Sequence, residues 1–149
     1  MLYRKITPCL LFDGRAHEAA KFYVSVFKKS KITFKGEHTT SFRIEGQDFV
    51  ALNGPRVDFN WGVSFYVSCK DQKEINYYWN KLKAGGGEEQ PCGWVKDKFG
   101  LSWQICPAIL PKLISDKNKP KAERTMQAMM KMKKLDIAIL KKAHAGKPK

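Results

Sequence analysis

Several patterns are absent from this chain of 149 residues, and each absence removes a class of protein. No run approaches the roughly 18 to 20 apolar residues that a membrane-spanning helix needs. The start, MLYRKITP, has no apolar stretch long enough for a signal peptide, so the sequence predicts a cytoplasmic protein with no membrane partner. Cysteine is sparse: Cys9, Cys69, Cys92 and Cys106 form no CxxC pair and have no His at zinc-ligand spacing. Reduced structural thiols are expected. His is sparser still, with His17 on a helix face, His38 in a loop and His144 near the end, so no Ser-His-Asp or Cys-His set can be assembled. A glycine-rich turn between a parallel strand and a helix, the usual cradle of a nucleotide-like cofactor, is also missing. Gly85-Gly86-Gly87 follows a helix and precedes a strand, which makes it a helix stop.

Acidic residues are few, 14 against 28 Lys and Arg, giving a net charge of +14. The excess is uneven. Residues 112–149 hold 12 basic and 3 acidic side chains, a net of +9, whereas residues 1–111 hold 16 and 11, a net of +5. Nucleic acid is therefore not the expected partner, because the charge belongs to a terminal extension and reads as a solvated helical face.

What is present is a repeated order of elements. Ile6 to Phe12 reads as a strand interrupted by Pro8. Apolar residues then recur at helical spacing from Arg15 to Phe27. Lys31–Lys35, Thr39–Ile44 and Asp48–Leu52 read as three antiparallel strands. After Asn53-Gly54-Pro55 the order returns: a strand with Val63, Phe65 and Val67 alternating with Ser64, Tyr66 and Ser68, then a helix from Gln72 to Ala84 capped by Asp71. Short strands follow through Cys106. The length suits one domain built from two βαβββ modules, about 1–54 and 60–107, each led by a helix behind an Asp and carrying paired aromatics. The fold class is α+β, with a basic helical extension over 108–149, in which Ile109 to Ile114, Ala122 to Lys133 and, capped by Asp136, Ile137 to Ala143 read as helices.

Cys92 to Pro107 reads as the closing hairpin, with Asp97-Lys98-Phe99-Gly100 as its turn. In its second strand Leu101, Trp103 and Ile105 fall on one face, and Ser102, Gln104 and Cys106 on the other. Gln104 is the one amide in that polar row and the group best able to orient a ligand. A Gln satisfied by its neighbours is the alternative.

The stretches ITPCLLFDGRAHEAAKFYVSVF, GQDFVALNG, SFYVSCKDQKEINYYW and CGWVKDKFGLSWQICP resemble the PhnB-like branch of the glyoxalase, or vicinal-oxygen-chelate, superfamily, also labelled as 3-demethylubiquinone 3-methyltransferase domains. The resemblance extends to the tail MQAMMKMKKLDIAIL. It implies paired βαβββ modules whose sheets enclose a cleft, commonly in a dimer, with a divalent metal held by His, Gln and Glu in the enzymes of the superfamily. Carried over, the metal positions fall near Ile6 to Pro8, at Ala51, at Trp61 or Gly62, and at Gln104. Only Gln104 could coordinate, and a cation needs at least three donors. Trp61 stands where relatives have an acidic residue, and the loop Gly36-Glu37-His38 is short, which weakens any inherited activity.

The reading is a binder of an unknown small molecule, without metal or other cofactor, using Ser64, Tyr66, Ser102 and Gln104 with Trp61 at the edge. A superfamily enzyme, metal-dependent or methyl-transferring, is the alternative, and a basic tail engaging an anionic partner or nucleic acid is a second. Met126, Met129, Met130, Met132 and Leu135 form an apolar stripe expected to pack on the body or on a second copy, and a homodimer is expected.

Overall fold

The computed structural model describes residues 2–146, in two compact units that divide between Asp58 and Phe59. Each unit holds one four-stranded mixed sheet and one helix packed on it.

The first unit runs β1 (Cys9–Phe12), α1 (Ala16–Val26), β2 (Ser30–Lys35), β3 (Thr39–Ile44) and β4 (Gln47–Asn53). Its sheet order is β1-β4-β3-β2, with β1 parallel to β4 and the other pairs antiparallel. β1 is shorter than the Ile6–Phe12 run suggested: Pro8 withholds an amide, and Ile6 lies 85% exposed ahead of the strand. Ala16, Ala19, Ala20, Tyr23 and Val26 bury the inner stripe of α1. Tyr23 stacks on Phe42 at 5.8 Å, and Phe42 on Phe49 at 5.2 Å. Asp13 does not cap this helix. The Ala16 amide instead donates to Oδ1 of Asn53, from the end of β4, over 2.8 Å, so a residue 37 positions away does the work expected of a local one.

Register places Ala51 opposite Thr40 and Phe49 opposite Phe42, hence on the face that α1 covers, and Ala51 is fully buried. The strand position expected to face a cleft is thus inside the helix–sheet core. Val50 and Leu52 occupy the opposite face, with Asp48, which accepts from Arg43 Nε at 2.6 Å and has Arg4 at 3.6 Å. Arg43, through its hydrogen bond first, holds the Asp48 carboxyl below the ordinary carboxylate range.

The second unit runs β5 (Ser64–Cys69), α2 (Gln72–Lys83), β6 (Glu88–Glu89), β7 (Trp94–Lys96) and β8 (Ser102–Pro107), ordered β5-β8-β7-β6. A 3-10 turn at Pro91–Gly93 links β6 to β7. Asp71 caps α2 as expected, Oδ1 accepting the Glu74 amide at 2.8 Å. Ile75, Trp79 and Leu82 are buried beneath the helix, and Tyr78 only half so. Gly85 and Gly86 have φ of +76° and +122° and end the helix.

The hairpin turn departs most from expectation. Asp97 stands in the turn as its composition suggests, yet it is only 1% exposed. Its Oδ1 accepts the Phe99 and Leu101 amides at 2.9 and 3.1 Å, and its Oδ2 accepts Nε1 of Trp103 at 2.9 Å. One carboxylate thereby closes the turn and anchors the strand that follows it.

Three helices complete the unit: α3 (Leu110–Ile114), α4 (Lys119–Met130) and α5 (Ile137–Ala145). Asp136 caps α5 as anticipated, its Oδ1 accepting the Ile139 amide at 3.0 Å. α4 stops three residues short of the expected Lys133. The stripe it buries is Ala122 and Thr125, with Ala128 and Met129 half-buried; Met126 and Met130 are exposed, Met130 by 58%. Leu135 does pack as expected, in a cluster with Cys106, Leu110, Leu113 and Leu140. Arg124 is not simply solvated: Nε donates to Ala143 O at 2.9 Å and Nη2 to His144 O at 3.0 Å, neutralising the carbonyl end of α5. His144 Nε2 lies 2.8 Å from Asp116 Oδ2.

Candidate functional site

Parallel pairing of β5 with β8 sets Ser64 opposite Ser102, Tyr66 opposite Gln104 and Ser68 opposite Cys106. β7 adds Trp94 opposite Gln104 and Lys96 opposite Ser102. Alternation puts all of these on one face, while Phe65, Val67, Trp103, Ile105 and Val95 share the other with α2. The alternation read from the sequence holds from Ser64 and from Ser102 onward, whereas Val63 and Leu101, read into the same strands, lie just ahead of them, Val63 64% exposed.

On the polar face Gln104 Nε2 donates to Ser64 Oγ over 2.9 Å, one step along the parallel pair. Gln104 and Ser64 are half-buried, and Ser102 is buried. Tyr66 is 49% exposed, and Trp61, 76% exposed, meets Trp94 edge-on with centroids 6.4 Å apart. The Tyr66 ring is open, but its hydroxyl end lies against the Cys106 thiol. Burial, and then Cys106, hold that phenol well above its ordinary range, so it stays neutral and can donate or accept but not act as a base near neutrality. Burial likewise pushes the Cys106 thiol up to about 11 and Cys69 up to about 12. Neither is a nucleophile at neutral pH.

The far end of this face is closed, which sequence reasoning missed. Cys106 sits in the leucine cluster of the tail, and the amides of Cys92 and Gly93 donate to Met132 O and Lys133 O, each at 2.8 Å. Gln72, at the start of α2, donates to Leu135 O at 3.0 Å and accepts the Ile137 amide at 2.9 Å. The polar row is open around Ser64, Tyr66 and Gln104 and sealed at Cys106. Leu135 at the foot of an amphipathic stripe was the available signal.

Among the described residues no three His, Cys, Asp or Glu are grouped to hold a metal. Gln104 has its amide engaged by Ser64, Trp61 brings an indole, and Ala51 is buried under α1. These side chains do not fit the superfamily's cation. They do not fit a nucleotide-like methyl donor either: the triple glycine ends α2 and heads toward β6, away from any helix N-terminus.

Two βαβββ sheets, each with its helix on one side, are the architecture of the glyoxalase, or vicinal-oxygen-chelate, superfamily. The chain belongs to the family described as 3-demethylubiquinone-9 3-methyltransferase, whose match spans residues 4–106. It stops at Cys106 and leaves out the tail, so the family is shown for residues 4–106 and not for the extension. The PhnB protein from Bacillus cereus is 30% identical over 70% of this chain and 100% of its own, with a TM-score of 0.62. A protein from Pseudomonas aeruginosa shares the fold at 18% identity, over 70% of this chain and 98% of its own, with a TM-score of 0.57. So does the fosfomycin resistance protein FosX from Listeria monocytogenes, solved with Mn(II) and sulfate, at 12% identity over 69% and 88% and a TM-score of 0.53. Comparison with curated proteins finds no match.

Proposed function

We propose that the chain binds a small polar, partly aromatic molecule on the open face of β5, β7 and β8, without a metal. The observation that carries this reading is the Gln104–Ser64 pair at 2.9 Å, half-buried beside an exposed phenol and an exposed indole. Gln104 keeps its carbonyl oxygen for a ligand donor, Tyr66 can bond from the flank, and Trp61 and Trp94 offer ring faces and edges. Ser102 lies beneath and shapes the floor. The match to a methyltransferase-described family supports an enzyme as the second reading, and in it the same face would hold the acceptor.

A homodimer and a cytoplasmic location complete the proposal. Trp61, Val63 and Tyr66 are exposed apolar side chains of the kind a second copy covers, and four free thiols suit a reducing compartment. No helix among the described residues is long and apolar enough to cross a membrane.

The test is mass spectrometry of small molecules released from protein purified under native conditions, beside the Gln104→Ala variant. A stoichiometric compound present in the wild type and lost in the variant is expected. Calorimetry with Mn(II), Ni(II) and Zn(II) runs in parallel, and a one-to-one site of micromolar affinity abolished by Gln104→Ala would overturn the metal-free reading.

A further inference from the structure

The tail holds a cavity unrelated to the sheet face: a groove of about 840 Å³ between α4 and α5. Its floor is apolar, built from Ala128, Met132 and Ile139, and its rim is cationic, with Arg124, Lys131 and Lys142. Glu123 is the one carboxylate on it. The tail's other two acids are committed elsewhere, Asp116 to His144 and Asp136 to the α5 cap. Lys131 and Lys142 have no carboxylate within ion-pair reach among the described residues. Arg124 spends two donors on the end of α5, which fixes the spacing of the two walls.

The shape follows from helical periodicity. Arg124, Ala128 and Lys131 stand at i, i+4 and i+7 along α4, and Ile139 faces them from the first turn of α5, where it is exposed. From Glu123 to Lys131 the groove runs for about 12 Å, a little over two helical turns. Two walls of helix with an apolar floor make a seat for a third helix, and a rim of one sign selects the charge of that helix.

We infer that the α4–α5 groove docks an acidic amphipathic helix of a partner protein, with apolar anchors at i, i+3 or i+4 entering over Ala128, Met132 and Ile139, and carboxylates meeting Lys131 and Lys142. The net charge of +9 over residues 112–149 supplies the steering, and its effect falls with salt.

The experiment uses the full chain and fluorescence anisotropy with a labelled helical peptide of about fourteen residues, Leu at helical spacing and Glu elsewhere. Its control has the same Leu pattern with Lys in place of Glu. The acidic peptide is expected to bind in the micromolar range and the basic one not at all. Lys131→Glu with Lys142→Glu should weaken binding at least about tenfold, equivalent to 1.4 kcal/mol, with an unchanged circular dichroism spectrum. Ile139→Ser, at an exposed position, should weaken it too. The inference is overturned if the acidic peptide fails to bind at about 1 mM, or if both peptides bind alike. It is equally overturned if the variants leave binding unchanged, if an oligonucleotide of matched charge displaces the peptide and is lost with the same lysines, or if those lysines abolish self-association of the chain instead. The first of these last two outcomes assigns the groove to phosphate, the second to another copy. None depends on what the β5–β8 face binds.

Discussion

Asp97 ties the closing hairpin of the second unit together with three hydrogen bonds. Asp97→Ala would take away the carboxylate that accepts from two amides and an indole N–H in a buried turn, a loss of about 3 to 5 kcal/mol on the scale of broken buried charge networks. Asp97→Asn should cost about 1 to 3 kcal/mol, because one end of the amide must turn a donor toward a donor. Urea unfolding of the two variants checks both values and their order. Gln104 is a milder case. Gln104→Ala and Ser64→Ala should each cost about 1 kcal/mol, and the double-mutant cycle should return most of that as coupling, since the hydrogen bond joins only these two. His17 supplies a pH dependence. Its Nδ1 is buried with no partner, and burial first, then Lys35 and Lys21, lower its pKa from the ordinary 6.5. Between the lowered folded value and 6.5 the unfolded chain holds more protons, so stability rises with pH across that window and is lost as pH falls below 6.5. His17→Gln should flatten the fall in melting temperature between neutral pH and the mildly acidic range, leaving the steeper loss governed by Asp48 and other carboxylates at lower pH.

Among the elements, α2 and α1 show how far local signals reach. Asp71 before a helical pattern announced the α2 cap, and Asp71→Ala should cost about 1 kcal/mol by thermal melting. Asp13 gave the same kind of signal for α1 and was misleading, because the folded sheet presents Asn53 to the same amide. Periodicity identified β5 and β8 and their two faces, since strict alternation has few other solutions. It did not identify the buried stripe of α4. Four methionines looked like the apolar seam, whereas Ala122 and Thr125 are buried and two of the methionines are left in solvent. Small residues let α4 and its neighbours approach closely, a choice made by geometry and not by hydrophobicity alone. Gly93 is a similar case: it has φ +82°, and an added Cβ would stand 2.9 Å from Leu135 Cδ1 and 3.0 Å from Ile105 O. Gly93→Ala should therefore loosen the tail's attachment, visible as faster amide exchange at Leu135 and Leu140.

For the whole molecule, the tail decides how the second unit is held together. Leu110, Leu113, Leu135 and Leu140 are buried in it, worth about 1.5 to 3 kcal/mol each by the usual burial scale. Truncation after Pro107 should lower the melting temperature by about 10 °C or more, or leave the second unit unfolded, as calorimetry would record. An unchanged melting temperature would show that the leucine cluster contributes nothing net. Light scattering at micromolar concentration should give the mass of a dimer, and a monomer there would remove the second copy from the proposal. The sequence by itself determined the βαβββ repeat, the alternation along β5 and β8 and the caps at Asp71 and Asp136, because each depends on residue type and short spacing. The tertiary structure alone decided that Asp97 is buried, that Asn53 caps α1, that Ala51 lies under α1, and that Cys106 is covered by Leu135 and Leu140. Each of these depends on which distant residue arrives opposite a given side chain, and strand register and helix packing set that only once the chain is folded.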